Sequence, residues 1–216
     1  MAKNNSLKIV AVLLLAVVAV WLFYRQSDSS SKFDLSPYRA LGAGAAEEAA
    51  RLLASKGSVL VVSYDTTEFK NLAEEGQLKS FQETIKKNPA MSIAATEKFK
   101  LSPMERMATG GAVPREQFLK ALQNHPNIGA VVLFCAFPQL SAQDHAALKQ
   151  SGVKVIVASA CVPGYRKLVE SQVIHLAIVP QFEPPATTAN PPTTMRGWFE
   201  QEFLVVSAAN AAALPY

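Results

Sequence analysis

Residues 58–65 read SVLVVSYD, a continuous β-branched run too short to be a globular helix. Such a run suits a strand buried on both faces, which is what a parallel sheet covered by crossover helices requires. Immediately before it, residues 38–57 (YRALGAGAAEEAARLLASKG) place Leu41, Ala45, Ala49, Leu52 and Leu53 at helical spacing, with Gly57 positioned to cap the end. The alanine content of this helix suits close packing. After the strand the alternation repeats. Residues 75–88 carry Leu78, Phe81 and Ile85 at helical spacing and stop at Asn88-Pro89, and residues 91–96 (MSIAAT) form a weaker strand.

Further along, residues 114–124 open on a proline and set Phe118, Leu119 and Leu122 on one face, and residues 128–135 (IGAVVLFC) form a third strand. A helix over 141–151 with Ser141 at its cap, the strand KVIVAS (154–159), a short helix over 165–171 and the strand VIHLAIVP (173–180) complete the series. Strand and helix in strict turn predict a doubly wound, three-layer α/β domain with a parallel sheet over residues 37–182. Residues 183–195 form a Pro/Thr-rich link that can hold neither ladder nor helix. Residues 196–216 read as a helix and strand extension, in which FLVVS (203–207) suits a sheet edge, and the terminal NAAALPY either packs on the domain or frays.

At the amino-terminal side, residues 9–24 (IVAVLLLAVVAVWLFY) are uncharged and apolar, preceded by Lys3 and Lys8 and followed by Arg25. The run extends about 24 Å as a helix, a slightly short span of a hydrocarbon core about 30 Å thick unless Leu7 and the stems of Lys8 and Arg25 lengthen it. A cleaved secretory signal is the competing reading. The bulky Trp21, Leu22, Phe23 and Tyr24 stand where a peptidase wants small residues, and their aromatic rings suit a membrane interface. The expectation is an uncleaved transmembrane anchor. It puts residues 1–8 in the cytoplasm, a serine-rich tether at 25–36, and the domain on the periplasmic or extracytoplasmic side of the inner (plasma) membrane.

The whole chain has 216 residues and a formal net charge of +4. The basic residues are scattered, with no run and no interleaved aromatics of the kind that track a nucleic-acid backbone, so nucleic acid is not expected as a partner. Two cysteines without a CxxC and three histidines supply no metal-ligand spacing. Neither a metal nor any other cofactor is expected.

The motifs VLVVSYD, GQLKSFQETIKK, HPNIGAVVLFCAFP, GVKVIVASACVPG and HLAIVPQ give residues 59–181 a pattern that resembles one lobe of the type 1 periplasmic sugar-binding proteins and the related LacI-type ligand domains. The resemblance implies a Rossmann-like lobe and a small polar ligand such as a sugar. It also implies a departure. Family members clamp a sugar between two lobes, whereas this chain has room for one, and one lobe cannot close by a hinge.

Ligands of open α/β sheets bind at the carboxyl ends of strands. The residues expected there are Asp65, Thr66 and Thr67 after the first strand, Glu97 after the second, Cys135 and Pro138 after the third, and Cys161 and Tyr165 after the fourth. Asp65 can bond a polar ligand or cap the following helix through local backbone bonds. Cys135 and Cys161, at the ends of neighbouring strands, can form a disulfide or remain two buried thiols. His145 is not placed to act as base for a Cys135 nucleophile. His125 and His175 read as structural, Gly110-Gly111 as a flexible linker, and Trp198 and Phe199 as anchors of the last segment. Gly42-Ala43-Gly44 precedes any strand and is no dinucleotide fingerprint. The leading expectation is a membrane-anchored, substrate-binding or sensor-like domain for a small polar solute or a partner protein. The alternatives are an enzyme using Asp65, Glu97 or Cys135 on a flavodoxin-like scaffold, and a structural subunit that meets other subunits of a membrane complex.

Overall fold

The computed structural model describes residues 34–158, 163–182 and 191–215. The apolar run at 9–24 lies outside the described residues, and so do Cys161 and most of the proline-rich link. Among the described residues no helix is long and apolar enough to cross a membrane.

The order of elements is α1 (Ser36–Leu52), β1 (Gly57–Tyr64), α2 (Leu72–Ile85), β2 (Met91–Phe99), α3 (Pro103–Ala108), α4 (Arg115–Asn124) and β3 (Ala130–Leu133). It continues with α5 (Ala142–Gln150), β4 (Lys154–Ala158), α6 (Tyr165–Glu170), β5 (Leu176–Pro180), α7 (Met195–Glu202), β6 (Phe203–Val206) and a 3₁₀ turn over Ala208–Ala213. The six strands form one sheet in the order β2-β1-β3-β4-β5-β6. The first five are parallel, as expected, and β6 closes the edge antiparallel to β5, so the sheet is mixed. The direction of β6 follows from its connection, because α7 leads straight into Phe203, which pairs with Pro180 at the carboxyl end of β5.

Alternate residues of each central strand face opposite layers. On one face Val59, Val61, Val132, Ile156 and Ile178 pack under α1, α2 and α7; on the other Leu60, Val62, Val131, Val155 and Val179 pack under α4, α5 and α6. Both faces of these strands are buried, which is why they read as unbroken apolar runs. The 3₁₀ turn packs as well, with Ala211 and Leu214 buried.

The α1 layer depends on close approach. A Cβ on Gly42 would stand 2.0 Å from the carbonyl oxygen of Gln77 in α2, and one on Gly44 would stand 2.1 Å from the Phe199 ring of α7. Any side chain there would push the helices apart, so GAGAA is a packing motif.

Several sequence boundaries are corrected. Gly57 does not cap α1; it opens β1 opposite Met91. The helix ends at Leu52, and Ala54 and Ser55 take the positive φ values, 49° and 60°, with Ser55 N–H reaching back to the Ala50 carbonyl. Strand β2 runs on to Phe99, which puts Glu97 inside it, opposite Val62. Strand β5 starts only at Leu176, after His175. Helix α3 was not anticipated. It has no buried residue and is held by a capping box between Ser102 and Glu105.

Candidate functional site

Strand order reverses between β1 and β3, since the chain leaves β1 towards β2 on one side and later returns to β3 on the other. The carboxyl ends of β1 and β3 therefore splay apart there, and a crevice follows from the topology. A cleft of about 330 Å³ lies at this place, lined by Tyr64, Glu74, Gln77, Phe134, Cys135 and Ala136, with Tyr38 and Leu41 of α1 beside them.

Its polar equipment comes from α2 and α3. Asn71 caps α2 by accepting from Ala73 and Glu74 N–H, which fixes Glu74 in the first turn. Arg106, from α3, donates to Glu74 Oε1 at 2.8 Å and lays its guanidinium over the Tyr64 ring, 3.7 Å from the centroid. The other carboxylate oxygen, Glu74 Oε2, is buried without a hydrogen-bond partner. Buried Gln77 also makes no side-chain hydrogen bond among the described residues. A buried acceptor without a donor is costly, so the site is set up for a ligand that brings hydrogen-bond donors.

Tyr64 anchors the rim. Its hydroxyl donates to the Gly111 carbonyl. Gly111 sits at φ +79°, and a Cβ there would meet Tyr64 Oη at 2.7 Å, so only glycine fits. Gly110-Gly111 is thus a fitted turn, and Ala112 beside it bridges to Ala136. Burial pushes the Tyr64 hydroxyl and the Cys135 thiol above their ordinary pKa values, so both stay protonated near neutral pH. Cys135 is a buried free thiol suited to a wall and not to attack.

Of the residues expected from sequence, Cys135 lines this cleft, Asp65, Thr66, Thr67, Glu97, Pro138 and Tyr165 stand elsewhere, and Cys161 lies outside the described residues. Asp65 accepts from Thr67 N–H at 2.9 Å in a local turn, and that bond with the Thr67 hydroxyl lowers its pKa; Asn71, not Asp65, caps the next helix. Thr66 is half-buried and Thr67 exposed in the same turn. Glu97 faces the opposite layer, 3.0 Å from Nε2 of His125 at the end of α4. Pro138 is buried after β3. Tyr165 is buried, and its hydroxyl accepts from Phe137 N–H at 2.8 Å, tying the β3 loop to α6. His145 stacks on Phe137, and His175 Nδ1 accepts from Val155 N–H at 3.2 Å, both structural roles. Glu74, Gln77, Arg106 and Tyr64 were missed. An acid in the first turn of a helix reads as a complement to the helix dipole, and nothing in sequence marks that Arg106 reaches it.

No protein-family model matches the sequence, and no curated protein matches it. Solved structures do match in fold. AraP, an arabinose-binding protein from Geobacillus stearothermophilus, is 17% identical with a TM-score of 0.54, covering 81% of this chain and 62% of that one. An ABC transporter periplasmic solute-binding protein from Actinobacillus succinogenes with bound D-allose is 13% identical, TM-score 0.52, covering 82% and 61%. A XylFII-LytSN complex mutant is 14% identical, TM-score 0.50, covering 81% and 61%. The described domain thus has the architecture of one periplasmic-binding-protein lobe, and the chain spans about three fifths of the length of these structures.

Proposed function

We propose that this chain is an extracytoplasmic binding lobe for a small, hydroxyl-rich solute, a sugar by chemical class, held at a membrane by residues 9–24. The observation that carries the reading is Glu74 Oε2, a buried acceptor with no donor in a cleft at the topological switch point. A sugar hydroxyl supplies the missing donor, Gln77 can both donate and accept beside it, and Phe134 and Ala136 offer an apolar wall to the C–H faces. The pairing of Arg106 with Oε1 holds the carboxylate in place, with Oε2 left for the ligand. That the fold neighbours include an arabinose-binding protein and a protein with bound D-allose supports the ligand class.

An enzyme gains less support. Asp65, Glu97 and Cys135 do not gather at one place, and the Cys135 thiol is held protonated by burial.

Isothermal titration of the full chain with a panel of pentoses and hexoses tests the reading. Glu74→Gln is expected to weaken the best ligand about tenfold, the worth of one hydrogen bond to a charged group. Asp65→Asn, in its own local turn, is expected to leave affinity unchanged. Heat with none of the sugars, or equal affinity in the Glu74→Gln variant, would overturn it.

A further inference from the structure

The amino edge of the sheet, opposite the cleft, holds a second cavity, of about 320 Å³. Its walls come from several elements: Arg51 lies in the last turn of α1, Lys154 opens β4, and His175 stands directly before β5. Ser207 follows β6, whose antiparallel run brings its end to this edge. The ionisable side chains here are all bases, and no carboxylate lines the cavity among the described residues. Lys154 has no ion-pair partner among the described residues.

The hydrogen bonds of His175 show what the cavity lacks. Its Nδ1 accepts from Val155 N–H at 3.2 Å, and a backbone amide nitrogen can only donate. Nδ1 therefore carries no proton, and the proton of the neutral ring sits on Nε2. Burial, and after it the Lys154 charge, lowers the His175 pKa, which keeps the ring neutral near neutral pH. The Nε2–H stands 3.3 Å from Nζ of Lys154, an ammonium with three donors and no acceptor. Two donors face each other, and no acceptor among the described residues bonds either of them. Arg51 adds another. Glu48 takes its Nε and Nη2 at 2.8 and 2.5 Å, which holds the guanidinium at the wall and leaves Nη1 without a hydrogen bond among the described residues.

An anionic oxygen resolves this arrangement, since it accepts from Nε2–H and Nζ together and offsets the lysine charge. Donors from three separate elements suit the three free oxygens of a phosphate ester better than the two of a planar carboxylate. We propose that this cavity binds a phosphate group, as the free ion or on a small organic ester, through His175 Nε2–H, Lys154 Nζ and Arg51 Nη1. It is a second site, at the far edge from Glu74, and it does not depend on what the cleft there holds.

Calorimetric titration of the full chain in a non-ionic detergent, with inorganic phosphate, glycerol phosphate and acetate at one ionic strength, tests the proposal. Both phosphates are expected to bind, and acetate much more weakly. Lys154→Met should weaken phosphate about tenfold. His175→Asn keeps an acceptor for Val155 N–H near the place of Nδ1 but has no counterpart of Nε2–H, and it should cost about fivefold. Lys120→Met, exposed on α4, should change nothing. In phosphate-free buffer Lys154→Met should not lower the thermal midpoint, because it removes a donor that had no acceptor. A nitrogen NMR spectrum of labelled histidines should show one neutral ring protonated on Nε2 that shifts with phosphate and is missing from His175→Asn. Glycerol phosphate binding at least as tightly as a short-chain phosphatidylglycerol would assign the site to a soluble ester, and the reverse order to a lipid headgroup. No binding of either phosphate, acetate binding as tightly, affinity untouched by Lys154→Met and His175→Asn, or a His175 ring protonated on Nδ1 would each overturn the proposal.

Discussion

Asp144 and Glu74 occupy matching places in the fold and are treated in opposite ways. Each lies in the first turn of a helix, α5 and α2, and each faces an arginine from another helix, Arg115 of α4 and Arg106 of α3. Asp144 has every acceptor engaged. Arg115 donates Nε and Nη2 at 2.6 and 2.7 Å, and Ser141 adds its N–H at 2.9 Å and its hydroxyl at 2.7 Å. Glu74 has one oxygen engaged by Arg106 and the other with no partner. The same chemical parts make a finished structural lock in one place and an unfinished receptor in the other, and the difference is a single missing donor.

The comparison can be broken by substitution. Asp144→Ala removes the capping box and the partner of Arg115 together, and the thermal midpoint should fall by several degrees in calorimetry while ligand affinity stays the same. Glu74→Gln should show the reverse pattern, with its tenfold loss of affinity and a midpoint close to that of the parent. If both variants lose stability alike, the distinction between lock and receptor fails.

Acid sharpens the same contrast. The Arg115 and Ser141 bonds hold the Asp144 carboxyl well below the usual carboxylate range. A carboxyl with a lowered folded-state pKa contributes stability that is complete above its unfolded value near 4 and is lost as pH falls towards the folded value. Thermal midpoints measured from neutral pH downward should therefore drop below about pH 4 in the parent and drop less in Asp144→Asn. The smallest effect is expected from Arg106→Lys, which keeps the charge opposite Glu74 but loses the planar stack over Tyr64. Titration should show affinity reduced about threefold.

Much of the fold was legible because the strands are buried on both faces. SVLVVSYD, GAVVLFC and KVIVAS have no polar side to confuse their period, and their order dictates the layers. The errors have physical causes. Strand β2 lies at the sheet edge, where Glu97 and Lys98 are tolerated, so its polar end read as loop. The turn after α1 puts alanine and serine at positive φ, which propensity assigns to the nearby Gly57. The site was legible only as a place. The rule about strand ends located Cys135, but Glu74, Gln77 and Arg106 come from helices, and only the packing of α2 and α3 over β1 brings them to Tyr64.

The glycines of α1 bear on when this domain can form. Gly42 fits against α2, its near neighbour in sequence, but Gly44 fits against Phe199 of α7, close to the other end of the described chain. During synthesis α1 must wait with that flank uncovered until α7 has been made. A contact of such long range ties α7 to α1 in one cooperative unit and slows its completion. A chain stopped short of Phe199 would carry all five parallel strands and still lack the piece that seals them.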